Sequence, residues 1–165
     1  MDQKTWYVVY ATAHNNAGDL LHEAEILMGH KKYARAYFLA FTGLEEISKS
    51  QLAADVYTRF ITEEEFWIYF RDHKKKISRM AWASEDAKRY LDPDTERYVD
   101  IKDPEVTARM KALYVDIEAK EIITPEKAVS KEDSESIIHT LRVAIERIFE
   151  VEYYEGRIGT KGFMK

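Results

Sequence analysis

Two adjacent acids and a lysine, Glu45, Glu46 and Lys49, stand in the middle of an alanine- and aromatic-rich stretch without proline. Apolar residues recur there at steps of three and four, the spacing that places side chains on one face of an α-helix. Glu45 falls in register with Phe41 and Leu52, so it is expected to face the core. A buried carboxylate must be paired or take up a proton, which predicts a partner nearby. The alternative is an ordinary solvated Glu–Lys pair, which stabilises a helix by about 0.2–0.5 kcal/mol.

A histidine in core register is the second residue that could do chemistry. His73 shares a seam with Phe66, Phe70 and Ile77 in a predicted helix. Most histidines on apolar faces are core residues with satisfied hydrogen bonds. Histidine is also the side chain best suited to transfer protons near neutral pH. The sequence leaves both roles open.

The predicted helices bring these residues together. If the second and third helices form an antiparallel hairpin that turns near Ile61, Lys49 lies about level with His73. Glu45 then lies about level with Lys76. The sequence therefore predicts that these four side chains share one pocket.

The densest basic run of the chain surrounds this histidine. It contains Arg71, Lys74, Lys75 and Arg79. One interpretation is a rim that attracts the phosphates of RNA, which makes these four residues the predicted RNA-binding set. The other is a solvated face whose positive charges balance the negative charges of three acids at the start of the same predicted helix, Glu63, Glu64 and Glu65.

Composition restricts the class of protein. The chain has 165 residues, 45% hydrophobic and 33% charged, which suits one domain with a substantial core. A formal net charge of −5 argues against a strongly basic coat for nucleic acid, although a local basic patch remains compatible with it. No cysteine is present, so disulfides and thiolate chemistry are excluded. No signal-like start or long apolar stretch occurs, so no membrane partner is expected and a cytoplasmic location is predicted.

Several catalytic classes are excluded by spacing. The chain contains no Glu-x-x-His, His-Glu-x-x-His, Gly-x-x-x-x-Gly-Lys-Ser/Thr or Gly-x-Ser-x-Gly. These patterns mark di-iron bundles, zinc proteases, phosphate loops and serine hydrolases. His14, His22 and His30 recur every eight residues. This spacing places the three side chains on different sides of a helix, so they do not meet at one metal site. No metal and no cofactor are therefore expected.

The scarcity of glycine and proline predicts an all-α bundle of about five helices, with a long antiparallel hairpin and one irregular loop region. The irregular region starts after Leu91, and a briefly extended segment is expected up to Ile123. One domain is expected over residues 1–155 and a mobile tail over residues 156–165. The predicted helices run over about Thr5–Met28, Lys32–Arg59 and Glu63–Tyr90, then from Asp103-Pro104, and finally over about Lys131–Glu155.

Four stretches of the chain resemble the AbiV family of abortive infection proteins, and the resemblance as a whole covers roughly residues 10–150 in order. Their most specific part is Glu-Glu-x-x-Lys in an alanine-rich helix, followed later by His-x-x-Lys. The stretches are Leu21-His-Glu-Ala-Glu-Ile-Leu, the segment from Tyr33 to Lys49, His73-Lys-Lys-Lys76 and Leu113-Tyr-Val-Asp116.

The resemblance implies a HEPN-like helical domain, since this family is assigned to the HEPN superfamily. Such domains are compact, often dimerise, and in many members are metal-independent ribonucleases or toxins. For this chain it implies phage defence by inhibition of translation, a homodimer, RNA or the translation machinery as target, and a phage-encoded activator. The motif positions fall on Glu45, Glu46, Lys49, His73 and Lys76, the implied catalytic residues. The nuclease motif of the superfamily, an Arg followed after four to six residues by His, is absent.

Two functions stay open at this point. In the catalytic one, His73 transfers a proton, Lys49 and Lys76 stabilise phosphate charge, and Glu45 holds the histidine or a lysine in place. In the other, the same cluster is a structural polar network within a non-catalytic helical interaction module, or it lines a nucleotide-binding pocket.

Overall fold

The described part of the chain consists mainly of helices, which confirms the predicted all-α class. The structure is a computed structural model that describes residues 1–92 and 94–148. Among these residues, no helix has both the length and the apolar character needed to cross a bilayer. In chain order the elements are α1 (Gln3–Gly29), α2 (Tyr33–Tyr57), α3 (Glu63–Phe70), α4 (His73–Ser78), α5 (Ala81–Ala87), β1 (Arg89–Asp92), β2 (Arg97–Asp100), α6 (Val106–Lys111), β3 (Asp116–Glu118), β4 (Glu121–Ile123), α7 (Pro125–Ala128) and α8 (Lys131–Arg147).

The helices α1 and α2 form a long antiparallel hairpin. The Asp2 carboxylate caps α1 by accepting a hydrogen bond from the Thr5 amide at 2.7 Å. Towards the open end of the hairpin, the Ser50 hydroxyl donates to the Tyr10 carbonyl at 3.1 Å. This buried bond between the two helices fixes their register.

The helix α2 is central and has buried apolar residues on two of its faces. Leu44 is fully buried on one face, and Phe41 and Leu52 are fully buried on the other. α8 approaches α2 at Gly43, where an added Cβ would lie 2.5 Å from a methyl carbon of Leu141. The absence of a side chain at Gly43 therefore permits the close approach of α8.

The predicted third helix, about Glu63 to Tyr90, is wrong in its length, because the chain forms α3, α4 and α5 in its place. Asp72 causes the first break. Its carboxylate accepts hydrogen bonds from the amides of Lys74 and Lys75 at 2.9 and 3.1 Å, so it caps a new helix. A capping box of Thr62 and Glu65 starts α3, in which the Thr62 hydroxyl accepts from the Glu65 amide.

The region predicted as an irregular loop after Leu91 contains part of a hairpin. β1 and β2 pair antiparallel, so the prediction of a loop without strands is wrong. The Asp92 carboxylate accepts from the Asp94 amide at 2.8 Å, a side-chain turn that helps to reverse the chain. The Tyr90 hydroxyl donates to Glu135 of α8 at 2.9 Å and anchors the hairpin.

The predicted fourth helix begins later than Asp103-Pro104. α6 starts at Val106, with Glu105 as its N-cap. The Lys102 amide donates to the Ser136 hydroxyl of α8 at 2.9 Å, which holds the preceding backbone outside a helix. A proline at the first helical position is therefore not used here.

The remaining elements follow the predicted pattern more closely. The segment expected to be extended up to Ile123 forms the β3–β4 hairpin. The predicted start of the last helix at Lys131 is confirmed, and the Ser130 hydroxyl and the Asp133 carboxylate form a capping box there. The predicted end of the last helix at Glu155 and the tail at residues 156–165 lie outside the described residues.

Candidate functional site

Glu45 is the buried centre of the candidate site, as its core register predicts. It is 5% exposed and lies between Phe41 and Ser48, which are fully buried one turn away on either side. One carboxylate oxygen contacts Nδ1 of His73, and the other lies 3.8 Å from Nη2 of Arg109. The fold thus supplies the partners that a buried carboxylate requires.

His73 stands at the first position of α4, directly after the Asp72 N-cap. Its side chain is 49% exposed, so the ring lies at the edge of the core and not inside it, because the helix break moves it outward. With Nδ1 on the Glu45 carboxylate, the neutral ring carries its proton on Nδ1. Nε2 then carries the lone pair, and no described residue donates a hydrogen bond to it. A half-exposed ring with one oriented nitrogen can exchange a proton with a bound molecule.

Lys49 and Glu46 lie at the rim of the same site. The two side chains form an ion pair one helical turn apart on α2, the arrangement that the sequence also offered as the ordinary alternative. The Lys49 ammonium lies 5.4 Å from the centre of the Phe70 ring. Lys49 therefore borders the pocket, with its charge partly engaged by Glu46.

Lys76 lies on α4 and is 7% exposed. Its ammonium is 5.6 Å from the centre of the Phe70 ring, on which Lys49 also lies. Among the described residues it forms no ion pair. Burial lowers the pKa of Lys76, Glu45 opposes this effect, and the cations Lys49 and Arg109 add to it.

Arg109 is the site residue that the sequence analysis missed. It lies on α6 with its side chain 17% exposed. Its guanidinium carbon is 5.2 Å from the centre of the Phe38 ring and 5.8 Å from that of Phe41. The sequence contains a pattern that predicts its burial, because Arg109 falls three residues after Val106 and three before the fully buried Ala112. An arginine in such a register resembles Glu45, although the register alone does not identify its partner.

The predicted RNA-binding residues divide into two groups. Arg71, Lys74 and Lys75 are exposed around the start of α4. Arg79 instead donates to the fully buried Asp55 carboxylate of α2 at 2.5 Å, which ties the end of α4 to the core. The structure thus leaves three exposed cations beside His73, and gives the fourth a structural ion pair.

The charges of the site favour an anionic ligand. Lys49, Lys76 and Arg109 meet the carboxylates of Glu45 and Glu46, which leaves one positive charge in excess before His73 is protonated. Three cations grouped around Glu45 raise the local concentration of anions such as phosphate. Among the described residues, no group of His, Asp and Glu side chains has a geometry that would hold a metal ion.

The comparisons with known proteins identify the family of the chain. A family model described as HEPN_AbiV, AbiV, matches residues 8–146, which include every described side chain of the site. No curated protein matches the chain, and no solved structure does. Since the match spans most of the 165 residues, the chain belongs to the AbiV family of HEPN-type abortive infection proteins.

Proposed function

We propose that this protein arrests an infected cell by inhibiting translation, and that it does so by acting on RNA at the site around Glu45 and His73. The observation that carries the proposal is the contact of Nδ1 of the half-exposed His73 ring with a buried carboxylate, which leaves Nε2 as the second nitrogen of the ring. Membership of the AbiV family supports the role in abortive infection. A target in translation implies action in the cytoplasm.

In the catalytic form of this proposal, Nε2 of His73 takes the proton of a ribose 2′-hydroxyl. The 2′-oxygen then attacks the adjacent phosphorus, the bond to the 5′-oxygen breaks, and the products are a 2′,3′-cyclic phosphate and a 5′-hydroxyl. Lys76 protonates the leaving oxygen, since its lowered pKa makes it a better acid than an ordinary lysine. Lys49 stabilises the charge on the phosphate. The nucleophile belongs to the substrate, so this route needs no metal.

Glu45 has the supporting role in this scheme. Its carboxylate keeps the proton of the neutral ring on Nδ1 and stabilises the imidazolium that forms when Nε2 takes up a proton. Glu46 holds Lys49 at the rim. The chain would thus place a base, an acid and a phosphate-stabilising cation around one position.

The exposed cations Arg71, Lys74 and Lys75 would guide the RNA backbone to His73. Each lies within two residues of it along the chain and is exposed. Contacts of this kind bind phosphate without reading sequence and weaken as salt rises. We further propose that the active form is a homodimer and that a phage-encoded component activates it.

A second function is favoured by the burial of Glu45 and by the rim pair of Glu46 and Lys49. A buried polar cluster can fix the register of packed helices without catalysing anything, as in a non-catalytic interaction or nucleotide-binding module. In that case the loss of Glu45 or His73 lowers stability. The catalytic proposal instead predicts loss of function with stability retained.

The function is tested in a cell-free translation extract. Purified protein is added, synthesis of a reporter is followed, and the extracted RNA is resolved on a denaturing gel, with heat-unfolded protein as control. Extract from phage-infected cells is run in parallel to supply an activator. The proposal predicts that only the folded protein stops synthesis. Cleaved RNA on the gel indicates a ribonuclease, intact RNA indicates blockade by binding, and unimpeded synthesis in both extracts refutes the proposal.

A further inference from the structure

The guanidinium of Arg109 is held in place while its hydrogen-bond donors remain unused. Its Nε is buried and has no hydrogen-bond partner among the described residues. Its Nη2 lies 3.8 Å from the Glu45 carboxylate, which is too long for a hydrogen bond. A buried N–H group without a partner is costly, so such groups are normally satisfied. This arginine is therefore oriented but unsatisfied.

The surroundings of Arg109 explain how it is oriented. The Phe38 and Phe41 rings of α2 lie 5.2 and 5.8 Å from its guanidinium carbon. Contact with aromatic rings confines the guanidinium without using its N–H donors. The attraction of Glu45 keeps it close to His73. An anion that arrives beside His73 would therefore meet donors that are already in place.

The same site holds a second cation whose hydrogen-bond donors have no acceptor among the described residues. The Lys76 ammonium forms no ion pair among the described residues, whereas Lys49 is paired with Glu46. Lys76 and Arg109 are close enough that the charge of the arginine acts on the pKa of the lysine. Glu45 attracts both cations, but among the described residues neither cation donates a hydrogen bond to it, so both keep donors for a further anionic group.

We infer that Arg109 and Lys76 together bind one phosphate group beside His73, with Arg109 as its anchor. This inference deepens the proposed function and rests on it for the source of the phosphate, an RNA backbone. A guanidinium binds phosphate through two parallel hydrogen bonds, and an ammonium adds a point charge. Arg109 would fix the phosphate on the side of the site opposite the open solvent, with Nε2 of His73 facing the adjoining ribose.

The inference is tested by binding of inorganic phosphate. The melting temperature and the ³¹P line width of the anion are measured in phosphate and in chloride at equal ionic strength. Wild type is expected to show a phosphate-dependent rise in melting temperature and a broadened line. Arg109→Gln should lose both effects. Arg97→Gln, which removes the same charge from an exposed position on β2, should retain them.

A conservative variant separates anchoring from charge. Arg109→Lys keeps the charge but lacks the planar guanidinium that forms two parallel hydrogen bonds. Its affinity for phosphate is therefore expected to fall by about tenfold. Circular dichroism of each variant confirms that it is folded before its binding is compared. Undiminished phosphate binding by folded Arg109→Gln, or equal loss in Arg97→Gln, would overturn the inference.

The source of the phosphate is tested separately with a short oligouridylate. Wild type should bind it, Arg109→Gln should bind it more weakly, and His73→Ala should still bind it because His73 is not the anchor. If inorganic phosphate binds through Arg109 and the oligonucleotide does not, the phosphate site stands and the proposed action on RNA fails. If His73→Ala loses phosphate while Arg109→Gln keeps it, the anchor has been assigned wrongly.

Discussion

Replacing Lys76 by methionine is expected to make this protein more stable and less active at the same time. The lysine is 7% exposed, and burial lowers the pKa of Lys76, so the folded protein disfavours its charge. Methionine keeps most of the buried side-chain volume and carries no charge. In the proposed function, however, the ammonium protonates the leaving oxygen and binds the phosphate. In the proposed function, Lys76 therefore lowers the stability of the fold but is required for activity.

The magnitude follows from the cost of desolvation set against two favourable interactions of the ammonium, one with the Phe70 ring and one with Glu45. Desolvation of an ammonium costs several kcal/mol after relaxation. The contact with the Phe70 ring at 5.6 Å returns about 0.5–2 kcal/mol. We expect the free energy of unfolding to rise by about 1–2 kcal/mol in Lys76→Met. For a chain of this size, that corresponds to a melting temperature about 2–8 °C higher.

The pH dependence gives this prediction a second signature. The pKa of Lys76 is lowered in the folded state, so between that value and its ordinary value of 10.5 the unfolded chain binds more protons. Wild-type stability therefore receives a contribution that increases with pH across this window. Lys76→Met lacks that contribution, so its advantage is largest below the window and shrinks above it.

Urea unfolding of wild type, Lys76→Met and Lys74→Met measures these effects. Lys74 lies on the same helix but is exposed, so its replacement should change stability by less than about 0.5 kcal/mol. Translation inhibition is assayed on the same samples. A Lys76→Met variant that is less stable than wild type, or one that is fully active, would refute the reasoning.

Two further predictions concern the framework. Gly43→Ala should destabilise the protein by about 1–2 kcal/mol, because its Cβ would lie 2.5 Å from the buried Leu141, and overpacking exceeds the gain in helix propensity. Burial, aided by the charge of Arg142, lowers the pKa of His139 below its ordinary 6.5. Its contribution to stability is therefore present above pH 6.5 and lost as the pH falls through the window below it. Urea unfolding measures both effects, the second on wild type and His139→Gln across that range.

Matched variants control both measurements. Gly18→Ala has no heavy atom within 4 Å of the new Cβ, so it should gain up to about 1 kcal/mol from helix propensity. Equal changes in the two alanine variants would contradict the packing argument. His139→Gln should respond less to acid than wild type, and an unchanged pH dependence would show that His139 does not titrate as described.

The helical framework and the pairing at its centre could be predicted from periodicity. Glu45 falls in a core register of α2, and the predicted hairpin turning near Ile61 places it about level with Lys76 and places Lys49 about level with His73. In the structure Glu45 contacts His73, one helical turn before Lys76, so the contact lies within the predicted group of four residues. The predicted grouping of these residues is therefore compatible with the observed structure, although the third helix is shorter than predicted.

The breaks in the third helix could not be read from periodicity because they depend on single side chains. Asp72 looks like an ordinary surface acid of a helix, and only its hydrogen bonds to the amides of Lys74 and Lys75 reveal a cap. Such local bonds compete with the helix and leave the apolar pattern intact. The exposure of His73 follows from this break and was missed with it.

Arg109 could not be assigned to the site because no sequence period links it to Glu45. The two residues are separated by the β1–β2 hairpin and an extended segment. How that intervening chain returns to α2 depends on contacts with α8, such as the bond from Lys102 to Ser136. Its core register indicates that Arg109 is partly buried, but does not indicate that Glu45 is its partner.

The most direct test of the account replaces His73 in the translation assay. Folded His73→Ala is compared with wild type and with His22→Ala, which makes the same substitution at an exposed position of α1. Melting temperatures are recorded for all three. The account predicts that His73→Ala melts close to wild type and no longer inhibits, while His22→Ala inhibits fully. Full inhibition by folded His73→Ala, or a large loss of stability that explains its inactivity, would contradict a functional role for this histidine.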